Sequence, residues 1–330
     1  MFRRVRRIHF VGIGGAGMSG IAELLLNLGF EVTGSDIKDS PVIERLRRLG
    51  ARVRIGHSSE NLGDAEVVVY SSAVTLDNCE LVEARKRGIP VIPRAEMLAE
   101  LMRMKEGIAV AGSHGKTTIT SLLAYVLSEA GLDPTAVIGG RLEKFGGGAR
   151  LGQGPYLVAE ADESDGSFLL LSPIIAVVTN IDPEHLDHYG TFERLRGAFA
   201  SFVNRIPFYG VAVLGVDSDG VCDILPNIKK PFVTYGFSPQ ADFQVRSYVQ
   251  RGNRISFVAY SREEGELAEV EFGIPGRHHA LNALAALIVA RELDVPMDVA
   301  VGAVSDFSGL HRRFEILGEF GGVLIVDDYG

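Results

Sequence analysis

The chain has 330 residues, 46% of them hydrophobic, and a formal net charge of −9. That length exceeds one ordinary core and points to two or more domains, while the acidic balance gives no general attraction to nucleic acid or to an anionic membrane. Two distant cysteines, Cys79 and Cys222, form no disulfide framework and fit a reducing compartment. No apolar run reaches membrane-spanning length and no signal peptide is recognisable, so a cytoplasmic protein is expected.

The basic stretch Arg3-Arg4-Val5-Arg6-Arg7 reads as a solvated lead-in to a first strand, Ile8–Ile13. Strand and helix patterns then alternate in the manner of a doubly wound α/β unit. A helix over Met18–Leu28 is followed by a strand at Glu31–Gly34, a helix at Val42–Leu49 and a short strand at Val53–Ile55. A β-branched strand at Glu66–Ser71 precedes a helix at Asn78–Arg87, a strand at Pro90–Ile92 and a helix at Ala95–Met104. The alternation restarts with a buried strand at Gly107–Ala111 and a helix running to Gly131. Tyr156–Glu160, Ile174–Asn180 and Gly210–Leu214 read as core strands, the first two apolar enough to be buried on both faces. Between them, Gly139–Pro155 holds seven glycines and reads as a mobile flap. Phe232–Tyr235, Asp242–Gln250, Arg254–Tyr260 and Glu266–Phe272 suggest a mostly antiparallel addition, followed by a helix at Ala280–Arg291. A strand at Gly322–Val326 ends in Asp327-Asp328-Tyr329-Gly330 with no helix to cover it, which reads as a cut end.

Residues 110–118, Val-Ala-Gly-Ser-His-Gly-Lys-Thr-Thr, join a strand to a helix through a glycine turn. Backbone N–H groups at a helix N-terminus cradle oxyanions, a lysine neutralises β/γ-phosphate charge, and a threonine hydroxyl can hold Mg²⁺. The spacing is not the common one, which needs glycine where this chain has Val110. A second glycine loop, Gly12-Ile-Gly14-Gly15-Ala16-Gly17, lies between the first strand and helix, and Asp36 follows Gly14 by 22 residues. Alone this is a weak dinucleotide fingerprint, and any nucleoside diphosphate offers the same pyrophosphate and ribose. Ser71 and Ser72 end another strand, where open sheets bind ligands. His57 either faces the same crevice or is an exposed loop histidine.

Four acids, Glu160, Asp162, Glu163 and Asp165, follow the strand Tyr156–Glu160. Clustered carboxylates repel unless a cation is present, and Mg²⁺ bound to ATP takes carboxylate and phosphate oxygens. The next strand leads to Asn180-Ile-Asp182-Pro-Glu184-His185-Leu-Asp187, which places His185 near a second metal or a transferring phosphoryl group.

Together these motifs resemble the Mur ligase family, the ATP-dependent amide-forming enzymes of peptidoglycan synthesis. Further matching stretches are Gly276-Arg-His278, Asn282-Ala-Leu-Ala285, Arg312-Arg313-Phe314 and Asp327-Asp328-Tyr329-Gly330. The resemblance implies an α/β fold with an N-terminal Rossmann-like UDP-binding domain at 1–106. A P-loop-type central ATPase domain with a mixed sheet would occupy 107–318, and 319–330 would be the stub of a third domain that brings the amino acid. Such a fragment would bind nucleotides without being a complete ligase. The implied ATP-binding residues are Gly112, Ser113, His114, Gly115, Lys116, Thr117, Thr118, Asn282, Arg313 and Asp328. Lys116, Glu160 and His185 would be catalytic, with Thr117, Glu160 and His185 holding Mg²⁺. Gly14, Gly15, Ala16, Gly17, Asp36, His57, Ser71 and Ser72 would line the UDP-substrate site.

The implied partners are UDP-N-acetylmuramate, ATP and L-alanine, without nucleic acid or membrane insertion; a homodimer is compatible with this reading. Two departures touch the site: His279 stands where the family usually has Asn, and Gly148 where it often has Asn. Later-acting members carry a carbamylated lysine after the Asp-His motif, whereas no lysine occurs here between Lys144 and Lys229, which favours the alanine-adding type. The rival readings are a relative that reattaches recycled peptide, a non-catalytic UDP-sugar-binding protein, and an NAD-linked oxidoreductase. The last leaves the phosphate loop and the acidic cluster unexplained.

Overall fold

A computed structural model of the chain describes residues 5–142, 147–307, 315–321 and 323–327. Arg313 and Asp328, both expected at the ATP site, lie outside the described residues.

The first half alternates β1 (Arg7–Val11), α1 (Ala16–Asn27), β2 (Glu31–Asp36), α2 (Pro41–Arg48), β3 (Arg52–Ile55), β4 (Val67–Tyr70), α3 (Cys79–Lys86), β5 (Val91–Pro93) and α4 (Arg94–Met102). Its strands form one sheet in the order β3-β2-β1-β4-β5, parallel throughout. The order reverses at β1, and the first glycine loop sits at that switch point, where the carboxyl ends of such strands form a crevice. Ser40 caps α2 by accepting from the backbone N–H of Ile43, and Pro41 occupies its first turn, where no N–H is needed.

The second half begins with β6 (Glu106–Ala111) and α5 (Lys116–Glu129), then β7 (Thr135–Leu142), β8 (Gly147–Arg150), β9 (Tyr156–Glu160) and β10 (Ile175–Val178). It continues through α6 (Leu186–Tyr189), α7 (Phe192–Val203), β11 (Val211–Gly215), α8 (Asp219–Ile224), β12 (Phe232–Gly236), β13 (Phe243–Arg251), β14 (Arg254–Ser261) and β15 (Gly265–Phe272). Helices α9 (Arg277–Glu292) and α10 (Met297–Asp306) follow, and then a two-stranded ribbon of β16 (Glu315–Phe320) and β17 (Val323–Asp327). The ten-stranded sheet runs β15-β14-β13-β12-β11-β10-β6-β9-β7-β8. It is parallel from β13 through β7 and antiparallel at both edges.

Period-2 alternation divides the central strands between two cores. Ile108, Val110, Val158, Ile175 and Val177 face α5 and α9, with Leu122, Leu123, Leu284 and Leu287. Ala109, Ala111, Ala159, Ala176 and Val178 face the opposite side, where Phe168, Phe199 and Phe202 pack in the same cluster as Phe10 and Ile21 of the first half. Both faces are covered, so these strands read as continuous apolar runs.

The structure corrects three expectations. Part of the glycine-rich flap is strand: β7 begins at Thr135, and β7 and β8 pair antiparallel at the sheet edge. Phe232–Gly236 is parallel to both neighbours, so the antiparallel addition starts only at the β13–β14 pairing. Helices α7 and α10 were not expected; in α10 the apolar residues alternate with Gly and Ala, which weakens the amphipathic pattern.

Gly34, in the middle of β2, is tightly enclosed: a Cβ there would lie 2.8 Å from the Phe10 carbonyl oxygen and 2.7 Å from Ile13 Cδ1. Gly34→Ala is expected to lower stability by about 1–3 kcal/mol through this overpacking, measured as a shift of the urea midpoint at unchanged slope.

Candidate functional site

Strand β6 ends at Ala111 and the chain turns through Gly112 at φ +134° and Gly115 at φ +86° before entering α5. Gly112 admits no side chain, since a Cβ would fall 1.9 Å from the Thr179 hydroxyl oxygen. The turn is held from the end of β10. Thr179 Oγ1 donates to the His114 carbonyl at 2.6 Å, Asn180 Nδ2 donates to the same oxygen at 3.2 Å, and the His114 N–H donates to Asn180 Oδ1 at 2.8 Å. The Ser113 N–H donates to the Asn180 carbonyl at 3.1 Å, and Ser113 Oγ accepts from the Asp182 N–H at 2.9 Å. Thus Ser113 and His114 are shaped by a neighbouring strand's exit. Thr118 is buried.

Lys116 Nζ donates to the carbonyls of Gly112 at 2.5 Å and Ser113 at 3.3 Å, and to Glu163 Oε1 at 2.8 Å. Glu163 is 2% exposed, and its Oε2 has no hydrogen-bond partner among the described residues. Burial pushes this carboxyl above its usual range, against the opposing pull of Lys116. His185 Nε2 lies 3.8 Å from Glu163 Oε1. Glu163, Glu184 and His185 bring one ligand atom each within 4.8 Å of one another. His185 adopts φ +55°, an uncommon backbone state for a residue with a side chain. Thr117 Oγ1 donates to Glu160 Oε2 at 3.2 Å. The expected metal residues therefore converge as Thr117 with Glu160, and as His185 with two acids, Glu163 and Glu184, that the sequence left unassigned among their neighbours. Asn282, buried in α9, approaches the loop: a Cβ on Gly115 would be 2.9 Å from Asn282 Oδ1. His279 Nδ1 lies 3.4 Å from Asn282 Nδ2.

At the first glycine loop, Asp36 Oδ2 accepts from the Gly14 N–H at 2.8 Å, which closes the loop onto the end of β2. A cavity of about 540 Å³ is lined by Gly12, Gly14, Gly15, Asp36, His57 and Ser71, together with Lys38, Ser40, Thr75 and Asn78 among others. Ser72 is exposed and does not line it. Gly17 also lies outside the lining: a Cβ there would meet Arg94 Nη1 at 2.7 Å. Ala16 begins α1. Behind the cavity, buried Glu80 accepts from Ser35 Oγ at 2.7 Å, Asn61 Nδ2 at 2.7 Å and the Ser58 N–H at 3.0 Å, and lies 3.0 Å from His9 Nε2. Burial alone would raise this carboxyl, but the hydrogen bonds from His9, Ser35, Asn61 and Ser58 bring it down to about 2.

The two sites are linked. Arg94, packed on Gly17, donates to Asp162 Oδ2 at 3.0 Å, next to Glu163. Burial opposes ionisation of Asp162, yet hydrogen bonds from Ser164 and the charges of Arg94 and Lys116 hold its carboxyl below the ordinary value. Nothing in the linear pattern marked Arg94 or Glu80, and the motif that contains Asn180 gave no sign of its role in holding the loop, because each acts on a residue far away in the chain.

Two family models match: "Mur ligase family, catalytic domain" over residues 7–106 and "Mur ligase middle domain" over 110–290. The UDP-N-acetylmuramate–L-alanine ligase of Geobacter sp. (strain M21) is 58% identical over 330 residues, which is all of this chain and 71% of that protein. A solved UDP-N-acetylmuramate-alanine ligase from Thermotoga maritima superposes with a TM-score of 0.87 at 30% identity, covering 98% of this chain and 74% of that one. A solved UDP-N-acetylmuramate:L-alanyl-gamma-D-glutamyl-meso-diaminopimelate ligase from Neisseria meningitides gives 0.85 at 30% identity, covering 93% and 100%.

Because Glu80 is held far below its ordinary 4.5, it contributes stability that is present above the unfolded-state value. That contribution, about 3 kcal/mol, is expected to be lost as pH falls from about 4.5 towards 2. Acid titration of unfolding free energy checks this, with Glu80→Gln giving a flatter curve over that window.

Proposed function

The chain belongs to the Mur ligase family, and from that premise we propose that it carries the UDP-sugar and ATP sites of an enzyme that joins L-alanine to the lactyl carboxylate of UDP-N-acetylmuramate at the expense of ATP. The observation that carries this reading is the pairing of Lys116 with Glu163 beneath a phosphate loop, linked through Asp162 and Arg94 to a separate glycine-loop cavity. Such an arrangement suits one nucleotide that is cleaved and another that only anchors a substrate. The 58% identity to a named alanine-adding ligase supports the choice of amine.

In this reading the chain divides as 1–106 for the UDP-sugar, 107–318 for ATP and 319–330 as the start of a further unit. The division is supported by the separate sheets β1–β5 and β6–β15 and by the separate ribbon β16–β17. The lactyl carboxylate attacks the γ-phosphorus of ATP, ADP leaves, and an acyl phosphate results. The amine of L-alanine then attacks the acyl carbon and phosphate departs with the former carboxylate oxygen. Carboxylate oxygen is a poor leaving group and phosphate a good one, which couples the two steps.

The phosphate-loop N–H groups orient the ATP phosphates. Lys116 exchanges Glu163 for phosphate oxygens and offsets charge as it develops there. Asn180 and Thr179 keep the loop in its binding shape. Asn282, beside Gly115, serves the adenine region, and the resemblance implies Asp328 near the ATP ribose and Arg313 at the ATP site. At the other site, Gly14 and Gly15 serve the pyrophosphate, and Asp36, His57 and Ser71, which line the same cavity, the remainder of the UDP group.

The donor sets suit Mg²⁺. Thr117 and Glu160 offer hard oxygens, and Glu163, beside His185 and Glu184, carries a buried oxygen with no hydrogen-bond partner among the described residues. When bound, the metal neutralises phosphate charge and polarises the phosphoryl group. Among the described residues no helix is long and apolar enough to cross a membrane, and a cytoplasmic location where ATP is available completes the proposal. The similarity to the Neisseria ligase, named for joining UDP-N-acetylmuramate to L-alanyl-gamma-D-glutamyl-meso-diaminopimelate, supports a second reading in which the amine is that peptide; parallel assays of the intact enzyme with L-alanine and with the tripeptide separate the two.

Calorimetric titration with UDP-N-acetylmuramate, with NAD as control, is expected to show saturable binding of the sugar nucleotide alone; binding of NAD alone overturns the assignment. Lys116→Ala is expected to leave that binding intact while lowering phosphate release from ATP by at least about 10²–10³-fold in the intact enzyme, as for other charge-stabilising donors. An unchanged ATP-dependent rate would remove Lys116 from the chemistry.

A further inference from the structure

Glu80 is a fully buried carboxylate that no step of the proposed reaction uses. Its Oε1 accepts from the backbone N–H of Ser58 and from Asn61 Nδ2, groups that can only donate. Its Oε2 takes the Ser35 hydroxyl and faces His9 Nε2. Ser35 Oγ lies in turn 2.9 Å from Nδ1 of His57.

These contacts settle where the protons are. Glu80, ringed by donors, is an acceptor only. A hydroxyl has a single hydrogen, and that of Ser35 is committed to Glu80. Ser35 therefore has only lone pairs to offer His57, so Nδ1 of His57 carries a proton. In a neutral imidazole the second nitrogen is then an acceptor. Nε2 of His57 has no protein partner among the described residues, and His57 lines the cavity that also holds Gly14, Asp36 and Ser71.

We infer that Ser35 and Glu80 are positioning residues that hold His57 as its Nδ1–H tautomer, so that Nε2 presents a hydrogen-bond acceptor to the nucleoside in this cavity. The inference rests on the nucleotide-binding reading of the glycine loop and deepens it. The ligand group it selects is an N–H or O–H donor. A uridine nucleotide has two sources of one, the imide N3–H of the base and the ribose hydroxyls. Cytosine carries a bare acceptor nitrogen at the imide position, so an acceptor on the protein would repel it.

The test uses the full chain with ¹⁵N-labelled histidine, at a pH above the imidazole range, and calorimetry with UDP, CDP, 2′-deoxy-UDP and 3′-deoxy-UDP. His57 is expected to show the Nδ1–H pattern in the unaltered protein. Ser35→Ala is expected to shift it towards Nε2–H and to weaken UDP about tenfold, one hydrogen bond's worth, with ATP-analogue affinity unchanged. Selective loss of CDP assigns the donor to the base; selective loss of a deoxy analogue assigns it to the ribose; either supports the inference. An Nε2–H tautomer in the unaltered protein, or equal affinity for all four nucleotides, overturns the inference and leaves the nucleotide site standing. Absence of UDP binding to the unaltered protein overturns both.

Discussion

Lys116 and Glu163 form an ion pair at 2.8 Å with the carboxylate 2% exposed, and the geometry of the second half is organised around it. Removing two charges from water costs several kcal/mol per ion, and the attraction between them repays that only when the remaining lone pairs are satisfied. Here Glu163 Oε2 is left without a partner among the described residues, so the pair is a poor device for stability. Under the proposed function it is a site for charge, with a cation beside Glu163 and an anion beside Lys116. Holding the ammonium there requires a turn no residue with a side chain could make at Gly112, with Thr179 hard against it. It also requires the hydrogen bonds of Thr179 and Asn180 across the top of β10.

The parallel sheets explain why these groups meet. β6, β9 and β10 are adjacent and run in one direction, so their carboxyl ends deliver the phosphate loop, the acidic stretch and the Thr179–His185 stretch to the same edge. The first sheet repeats the device at β1, β2 and β4, whose ends carry Gly12, Asp36 and Ser71. Arg94 joins the two edges. Its guanidinium rests on Gly17 and reaches Asp162, which is covalently next to Glu163.

Much of the architecture was legible in the chain. The alternation of apolar runs with amphipathic segments located β1 through β6 to within a few residues, because buried parallel strands must be apolar on both faces. Failures followed physical causes. The β7–β8 hairpin is rich in glycine, which normally signals a loop, yet its pairing in the sheet and the burial of Ala136, Val137, Ile138 and Ala149 sustain it as strand. Strand β12 carries no sign of its direction, since parallel and antiparallel strands share the same periodicity. Of the site, the glycine loops, Lys116 and the acidic cluster were visible because phosphate chemistry restricts residue type and local spacing together.

By itself the sequence determined the candidate chemistry: two glycine turns of the kind that bind oxyanions, a lysine and threonine of the kind that meet phosphates, and a cluster of carboxylates with a histidine that could take a cation. Those are local properties, carried by backbone freedom at glycine and by the charge of neighbouring residues. Only the tertiary structure decided which acid meets Lys116, that Glu184 joins Glu163 and His185, that Ser72 faces solvent while Ser71 lines the cavity, and that Glu80 reaches His57 through Ser35. These outcomes depend on register and crossover between strands distant in the chain, and a hydrogen bond between residues tens of positions apart leaves no trace in local spacing.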